Sequence, residues 1–323
     1  METYLISLTS TGTLTQLPDS QKLFGALVYL FSDEYGKDKA DKFVQDVRNK
    51  TLYLSLSNVL PEGYIPTPVD YLVDKLHDIY KNKELDFKKA RSHIKQRNYI
   101  SYSSLLDILK HPLNAEKTDQ YVKITQRQQM RASIESARWD IAGLDSNLYS
   151  VPYLVPLEFN KEHPQGRVMT RFQFYLKADE NALDSGICAL IEKAVSSNRT
   201  IMLGKRASQG LNVFQFTEIE KCRIDSNSKN LFLNMGMLLP DQINYKESTL
   251  KLFTSERRPF EMTGGWDSGF QRQYISFIEE GSVISSSEPT KAGKSIQSPF
   301  DTDNIVFGNA FLYPMPAEGR CRA

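Results

Sequence analysis

The sequence predicts an α+β chain: a ferredoxin-like unit first, interrupted by a long helical and basic insertion, then a second, β-rich domain. Three observations carry that prediction. A strand–helix–strand pattern occurs twice, on either side of a polar, basic stretch. Within each copy, apolar residues alternate where a strand is expected and recur at helical spacing where a helix is expected. Beyond about Lys221 helical periodicity fades, and short β-prone runs separated by Gly, Pro and Ser take over. The boundaries that follow are 1–220 for the first domain, with its insertion at about 70–150, and 221–323 for the second.

Each element has its own justification. "TYLISLTS" is β-prone and partly alternating, so it opens the chain as a strand. Leu23, Ala26, Leu27, Leu30 and Phe31 then share one helical face, with Asp19 or Ser20 as the N-cap. "TLYLSLSNVLPEGYIPTP" is a strand that runs into a proline-rich loop. Residues 70 to 140 read as mostly helical, since no sustained β pattern interrupts them, and 126 to 138 read as helix in particular. "TRFQFYLKA" puts Phe172, Phe174 and Leu176 on one side of a strand. "DENALDSGICALIEKAVSSN" reads as one capped helix, followed by the short strand "TIML", a glycine loop and the strand "LNVFQFTEIE". In the second domain "NLFLNMGMLLP", "STLKLFTS", "RQYISFIEEGSVIS" and "NIVFGNAFLYP" are β candidates, and "SSSEPTKAGKSIQSP" is a polar loop.

Composition excludes several classes. A hydrophobic share of 40% with 24% charged residues is that of a soluble globular protein. The net charge of +1 excludes a uniformly basic coat, yet Lys88 to Arg138 holds eleven Lys or Arg against four Asp or Glu. Cys188, Cys222 and Cys321 form no CxxC pair and fit reduced thiols of a cytoplasmic protein. The start lacks the basic and apolar regions of a signal peptide, and no run is apolar enough to span a bilayer. The expectation is a cytoplasmic chain without a membrane partner.

The motif that invites a ligand is "LGKRASQGLNVFQF". Gly204 and Gly210 bracket Lys205, Arg206, Ser208 and Gln209, two cations and two neutral donors, and a strand follows. A P-loop needs GxxxxGK[ST] leading into a helix, and a dinucleotide fingerprint also needs a helix there; both fail. What remains is either a cradle for a nucleic-acid backbone or a tight turn with solvated basic side chains. The tract "KKARSHIKQR", with Arg127, Arg131 and Arg138 beyond it, is either one wall of a nucleic-acid groove or a solvated helix face. "MTGGWDSGFQRQ" offers Gly264, Gly265, Trp266 and Arg272 as a base-stacking site, or else a turn with its tryptophan in a core. The four histidines form no HExxH or Cys/His zinc pattern, so no metal is expected. His93 lies in the basic tract without a second histidine or triad, either as a surface residue or as a lone general base. No catalytic constellation and no cofactor are expected.

Taken together, these residues resemble the RAMP superfamily of CRISPR proteins, and within it the fourth, five-prime-capping subunits of type III-A (Csm) effector complexes. The resemblance rests on "DSQKLFGALVYLF", "SNVLPEGYIPTP", "LGKRASQG" and "GGW…GSVI…VFGNAFLYP" in that order, over nearly the whole length. It implies two ferredoxin-like RAMP (RRM-like) domains and a non-catalytic subunit that holds the repeat-derived tag of crRNA. It also implies docking to the large polymerase-like subunit and the backbone RAMP subunit, with target RNA met indirectly. By motif, Gly204, Lys205, Arg206, Ser208 and Gly210 would form the RNA-binding loop. Gly264, Gly265 and Trp266 would line the tag, with Arg272 beside them. Arg127, Arg131 and Arg138 fall where relatives project a thumb, often a β-hairpin, over the RNA. The family loop commonly ends Gly-Phe-Gly; here it reads Gly210, Leu211, Asn212. Two other readings stay open: a metal-independent RAMP endoribonuclease using His93, and a protein-interaction module without RNA.

Overall fold

The computed structural model describes residues 1–79, 84–111, 114, 117–133, 147–204, 209–224, 230–257, 273–299 and 304–315. The chain opens on β1 (Glu2–Ser10), followed by α1 (Ser20–Tyr35) and α2 (Lys37–Asn49). Asp19 caps α1 as expected, its carboxylate accepting from the Lys22 backbone N–H at 2.9 Å. The second helix was not anticipated, although Ala40, Phe43, Val44 and Val47 recur on one buried face. Then come β2 (Leu54–Leu56) and the two-residue β3 (Leu60–Pro61).

The insertion corrects the sequence reading. It begins with β4 (Ile65–Pro66), α3 (Val69–Ile79), α4 (Glu84–Gln96), β5 (Tyr99–Ile100) and α5 (Tyr102–Lys110). It then departs from the helical expectation with two 13-residue strands, β6 (Tyr121–Ser133) and β7 (Asn147–Phe159), and the short β8 (Arg167–Val168). The order β4-β5-β6-β7-β8 makes a five-stranded antiparallel sheet. Residues 126–133 are therefore strand, not helix. An Arg127–Arg131 spacing of four puts both on one face in either conformation, so the basic spacing could not discriminate. The β-rich partner "NLYSVPYLVPLEF" decides, pairing in unbroken register from Tyr121↔Phe159 to Ser133↔Asn147.

The chain returns through β9 (Arg171–Ala178), α6 (Glu180–Asp184), α7 (Ile187–Ser196), β10 (Thr200–Met202) and β11 (Val213–Cys222). The single helix expected over 179–198 is broken: Gly186 stands at φ +95° between α6 and α7, a conformation that ends one helix and starts the next. The first sheet runs β10-β11-β1-β9-β2, with β3 also on β9, and each of its strand pairs is antiparallel. Strands β1, β2, β9 and β11 with their helices give the split strand–helix–strand order that the sequence predicts. Phe172, Phe174, Phe214 and Phe216 are all fully buried on the face packed by α1, α2 and α7. Each such side chain contributes roughly 1.5–3 kcal/mol over exposure.

Residues 231–315 are β-rich as expected: β12 (Leu231–Asn234), β13 (Asn244–Thr249), β14 (Leu252–Arg257), β15 (Gln273–Ile278), β16 (Val283–Ser285), β17 (Ile296–Gln297), β18 (Ile305–Val306) and β19 (Leu312–Pro314). A four-stranded sheet, β13-β16-β12-β19, is accompanied by the pairs β14-β15 and β17-β18. No α-helix occurs among the described residues of this region, so a second split strand–helix–strand unit is not seen there. Its core joins the other parts of the molecule: Phe307 stacks on Phe24 at 4.3 Å, and Phe311 on Tyr175 at 5.0 Å.

A buried polar knot ties the three parts together. Asn58, after β2, accepts from the Ser20 N–H at the start of α1 and donates to Glu280 at 2.8 Å each. Tyr99 of β5 donates to the other oxygen of Glu280 at 2.7 Å. Burial pushes the Glu280 carboxyl above its ordinary value, against the hydrogen bonds from Tyr99 and Asn58. Burial, then the Glu280 charge, also pushes the Tyr99 hydroxyl well up.

Candidate nucleic-acid interface

The glycine loop joins β10 to β11, and its floor is built from the segment that follows β1. Gly204 stands at φ +143°, where a Cβ would run into the Gln16 carboxamide and lie 3.1 Å from Asn212 Nδ2. Gly210 stands at φ +70° with open space around it. Asn212, fully buried at φ +57°, occupies the left-handed region that a glycine would take, and asparagine tolerates it. Its side chain is locked: Oδ1 accepts from the Thr15 N–H and Nδ2 donates to Thr15 Oγ1, both at 2.8 Å. Its backbone N–H donates to Thr13 O at 3.0 Å, and its carbonyl accepts from the Leu203 N–H at 2.9 Å. A pinned asparagine thus holds the positive-φ turn at the end of the loop.

The β6–β7 hairpin reaches this loop. Leu154 of β7 donates its N–H to Leu14 O at 2.7 Å, setting the hairpin beside the 11–17 segment. From β6, Arg131 donates Nη1 to Gln209 Oε1 at 2.9 Å and turns its other nitrogens to Gln129. Arg127 is exposed two side chains back on the same face. The structure therefore brings Arg131, Arg127, Gly204 and Gly210 into one region, and places the arginines on a hairpin. Lys205, Arg206, Ser208, Arg138, Gly264, Gly265, Trp266 and Arg272 lie outside the described residues. The sequence offers Gln209 as a polar donor of the loop, whereas the roles of Thr15, Gln16 and Asn212 were not read from it. The Asn after Gly-Leu was the one signal for Asn212, because the partner Thr15 is 197 residues away.

Away from the insertion, several cations are matched: Lys193 with Glu34 at 2.6 Å, Lys50 with Asp241 at 2.7 Å, Arg199 with Asp33 and Arg171 with Glu62 at 2.8 Å, Lys251 with Glu279 at 2.9 Å. Among the described residues, no ion pair is made by Lys89, Arg91, Lys95, Lys123 or Arg127 of the insertion. Arg97 is held in place, its guanidinium 4.8 Å from the Tyr121 ring centroid and donating to the carbonyls of His93 and Thr118. His93 is exposed on α4, and no cluster of three His, Cys, Asp or Glu able to hold a metal is found among the described residues. No described helix is long and apolar enough to cross a membrane.

No protein-family model matches the chain, and no curated protein matches it by sequence. Its fold, however, is that of a type III CRISPR–Cas effector subunit. A chain of the Csm3–Csm4 subcomplex of the type III-A interference complex matches at TM-score 0.57 and 16% identity, covering 98% of this chain and 100% of that one. A chain of a Csm1–Csm4 cassette in complex with cA4 matches at TM-score 0.55 and 15% identity, with 98% and 100% covered. The cassette with pppApA gives TM-score 0.55 and 14% identity over 99% and 100%. The solved neighbours are Csm4 in these assemblies.

Proposed function

We propose that this chain is a crRNA-binding subunit of a type III-A effector complex, holding the five-prime, repeat-derived tag in the cleft between the glycine loop and the β6–β7 hairpin. The observation that carries the reading is the meeting of Arg131 with Gln209, which sets a basic hairpin against a glycine loop in a chain sharing the Csm4 fold end to end. Guanidinium groups and backbone N–H groups at a close-approach turn suit phosphate and sugar contacts. In this reading residues 1–220 form the first RAMP domain and 221–323 a second, β-rich ferredoxin-like one. The solved assemblies contain Csm1 and Csm3; here a large polymerase-like subunit and a backbone RAMP subunit would be the protein partners, in the cytoplasm. The subunit itself would be non-catalytic.

The test is to co-express the chain with those partners, wash the complex at rising salt and sequence the RNA retained. Lys205→Ala with Arg206→Ala should lower crRNA retention; equal retention would remove the loop assignment. Incubating the purified chain with repeat RNA in EDTA addresses catalysis. A specific cut abolished by His93→Ala would replace this reading with a metal-independent endoribonuclease.

A further inference from the structure

From Phe87 onward helix α4 carries four Lys or Arg and no acid, and Arg97 follows directly after it. Ala90 and Ile94 are buried in the core of the insertion, while Lys88, Lys89, Arg91 and Lys95 stand exposed around the rest of the helix. Arg91 and Lys95 are four apart, a like-charge pair that costs an isolated helix about 0.2–0.5 kcal/mol. Among the described residues Lys89, Arg91 and Lys95 have no carboxylate partner, unlike Lys50, Lys193 and Arg199. Folding does not require them, since the apolar stripe alone seats α4.

The helix lies far from the glycine loop along a definite path. Arg97, the residue after the helix, rests on Tyr121 at the start of β6, ten residues before Arg131, or about 33 Å of strand. Lys123, Arg127 and Arg131 recur every fourth residue between the two, on one face. A linear series of cations fits a linear polyanion. None of the exposed large apolar side chains of the described residues lies on α4, so the surface lacks the aromatic or aliphatic anchors of a protein interface.

We infer that the outward face of α4, centred on Lys89, Arg91 and Lys95, is a second phosphate-binding surface for single-stranded RNA, reached from the glycine loop along Lys123 and Arg127. This rests on the RNA-binding reading above and adds a region of contact to it. Binding there is through the backbone and insensitive to base sequence.

The experiment compares the full chain with its Lys89→Ala/Arg91→Ala/Lys95→Ala variant, using a single-stranded RNA of about 8 nucleotides and one several-fold longer. Alanine is the best helix former, and a Lys89→Arg/Arg91→Lys/Lys95→Arg variant keeps the charge as a control. Both variants should bind the short RNA like the parent. On the long RNA the alanine variant should lose about 2 from the slope of log affinity against log salt, so that its deficit changes about 20-fold between 50 and 200 mM. The charge-keeping variant should hold the parental slope. An unchanged slope in the alanine variant would overturn the inference while leaving the loop reading intact. If the parent binds neither RNA, the RNA-binding reading itself falls. If RNA binding is unaltered but a protein subunit no longer co-purifies with the alanine variant, the surface belongs to an acidic protein partner and the inference is wrong.

Discussion

The first sheet and the insertion solve opposite problems with similar residues. In the first sheet the phenylalanines of β9 and β11 are sealed under helices, and peripheral cations such as Lys193 and Arg199 meet acids on α1. In the insertion a separate core that includes Leu72, Leu76, Ala90, Ile94 and Val122 seats the elements, and Lys89, Arg91 and Lys95 of α4 and Arg127 of β6 make no ion pair among the described residues. Charge neutralised within the chain is of little use to a polyanion, whereas charge left unmatched is available to it. Stability and binding are therefore separable by region, and substitutions should show it.

The heaviest loss is expected from Phe174→Ala in the first sheet, about 3–5 kcal/mol, because a fully buried ring leaves a cavity. Denaturant unfolding measures it, and the salt slope of RNA binding by the folded fraction should not move. A changed slope would break the division between regions. Asn212→Ala comes next, at about 2–3 kcal/mol, from two lost hydrogen bonds and a β-carbon residue held at positive φ without the amide that stabilises it. Asn212→Gly should recover about 1 kcal/mol of that by relieving the backbone alone. Equal losses for the two would show that the conformation is unimportant.

Glu280 supplies a pH test of the knot between regions. Its folded carboxyl titrates above its ordinary value of 4.5, so the folded state binds the proton more tightly than the unfolded chain. Its contribution to stability is fully present below 4.5 and is lost as pH rises through the folded value. Glu280→Gln should flatten that part of the stability–pH curve, read from thermal midpoints across the window; a curve of unchanged shape would show that the group does not govern it. The mildest change is Lys193→Ala, whose exposed ion pair with Glu34 is worth at most about 1 kcal/mol. Neither midpoint nor RNA salt slope should shift much, in contrast to the α4 substitutions.

Much of the first sheet was legible in the sequence because its signals are local. Phe172, Phe174 and Leu176 alternate, and Asp19 precedes a helical stripe. The hairpin was not legible, since β6 is polar along its outer half and its identity comes from pairing with β7 across a gap in sequence. The break at Gly186 was missed because the apolar spacing continues across it. At the candidate site, the glycines announced a loop, but what grips it did not show. Asn212 acts through Thr15, and Gln209 through Arg131, contacts that only the folded chain creates.

The topology of the first sheet also sets an order of events. Strand β1 pairs with residues 171–178 on one side and 214–222 on the other. Leu56 of β2 donates its N–H to Asn309 and accepts from the Phe311 N–H, so the far edge is closed by the last described segment. At about 5–20 residues per second, β1 emerges roughly 10–40 s before its later partner has been made. Strand β1 is thus made about 200 residues before its second partner, and the newborn chain can complete its pairing only once β11 has followed.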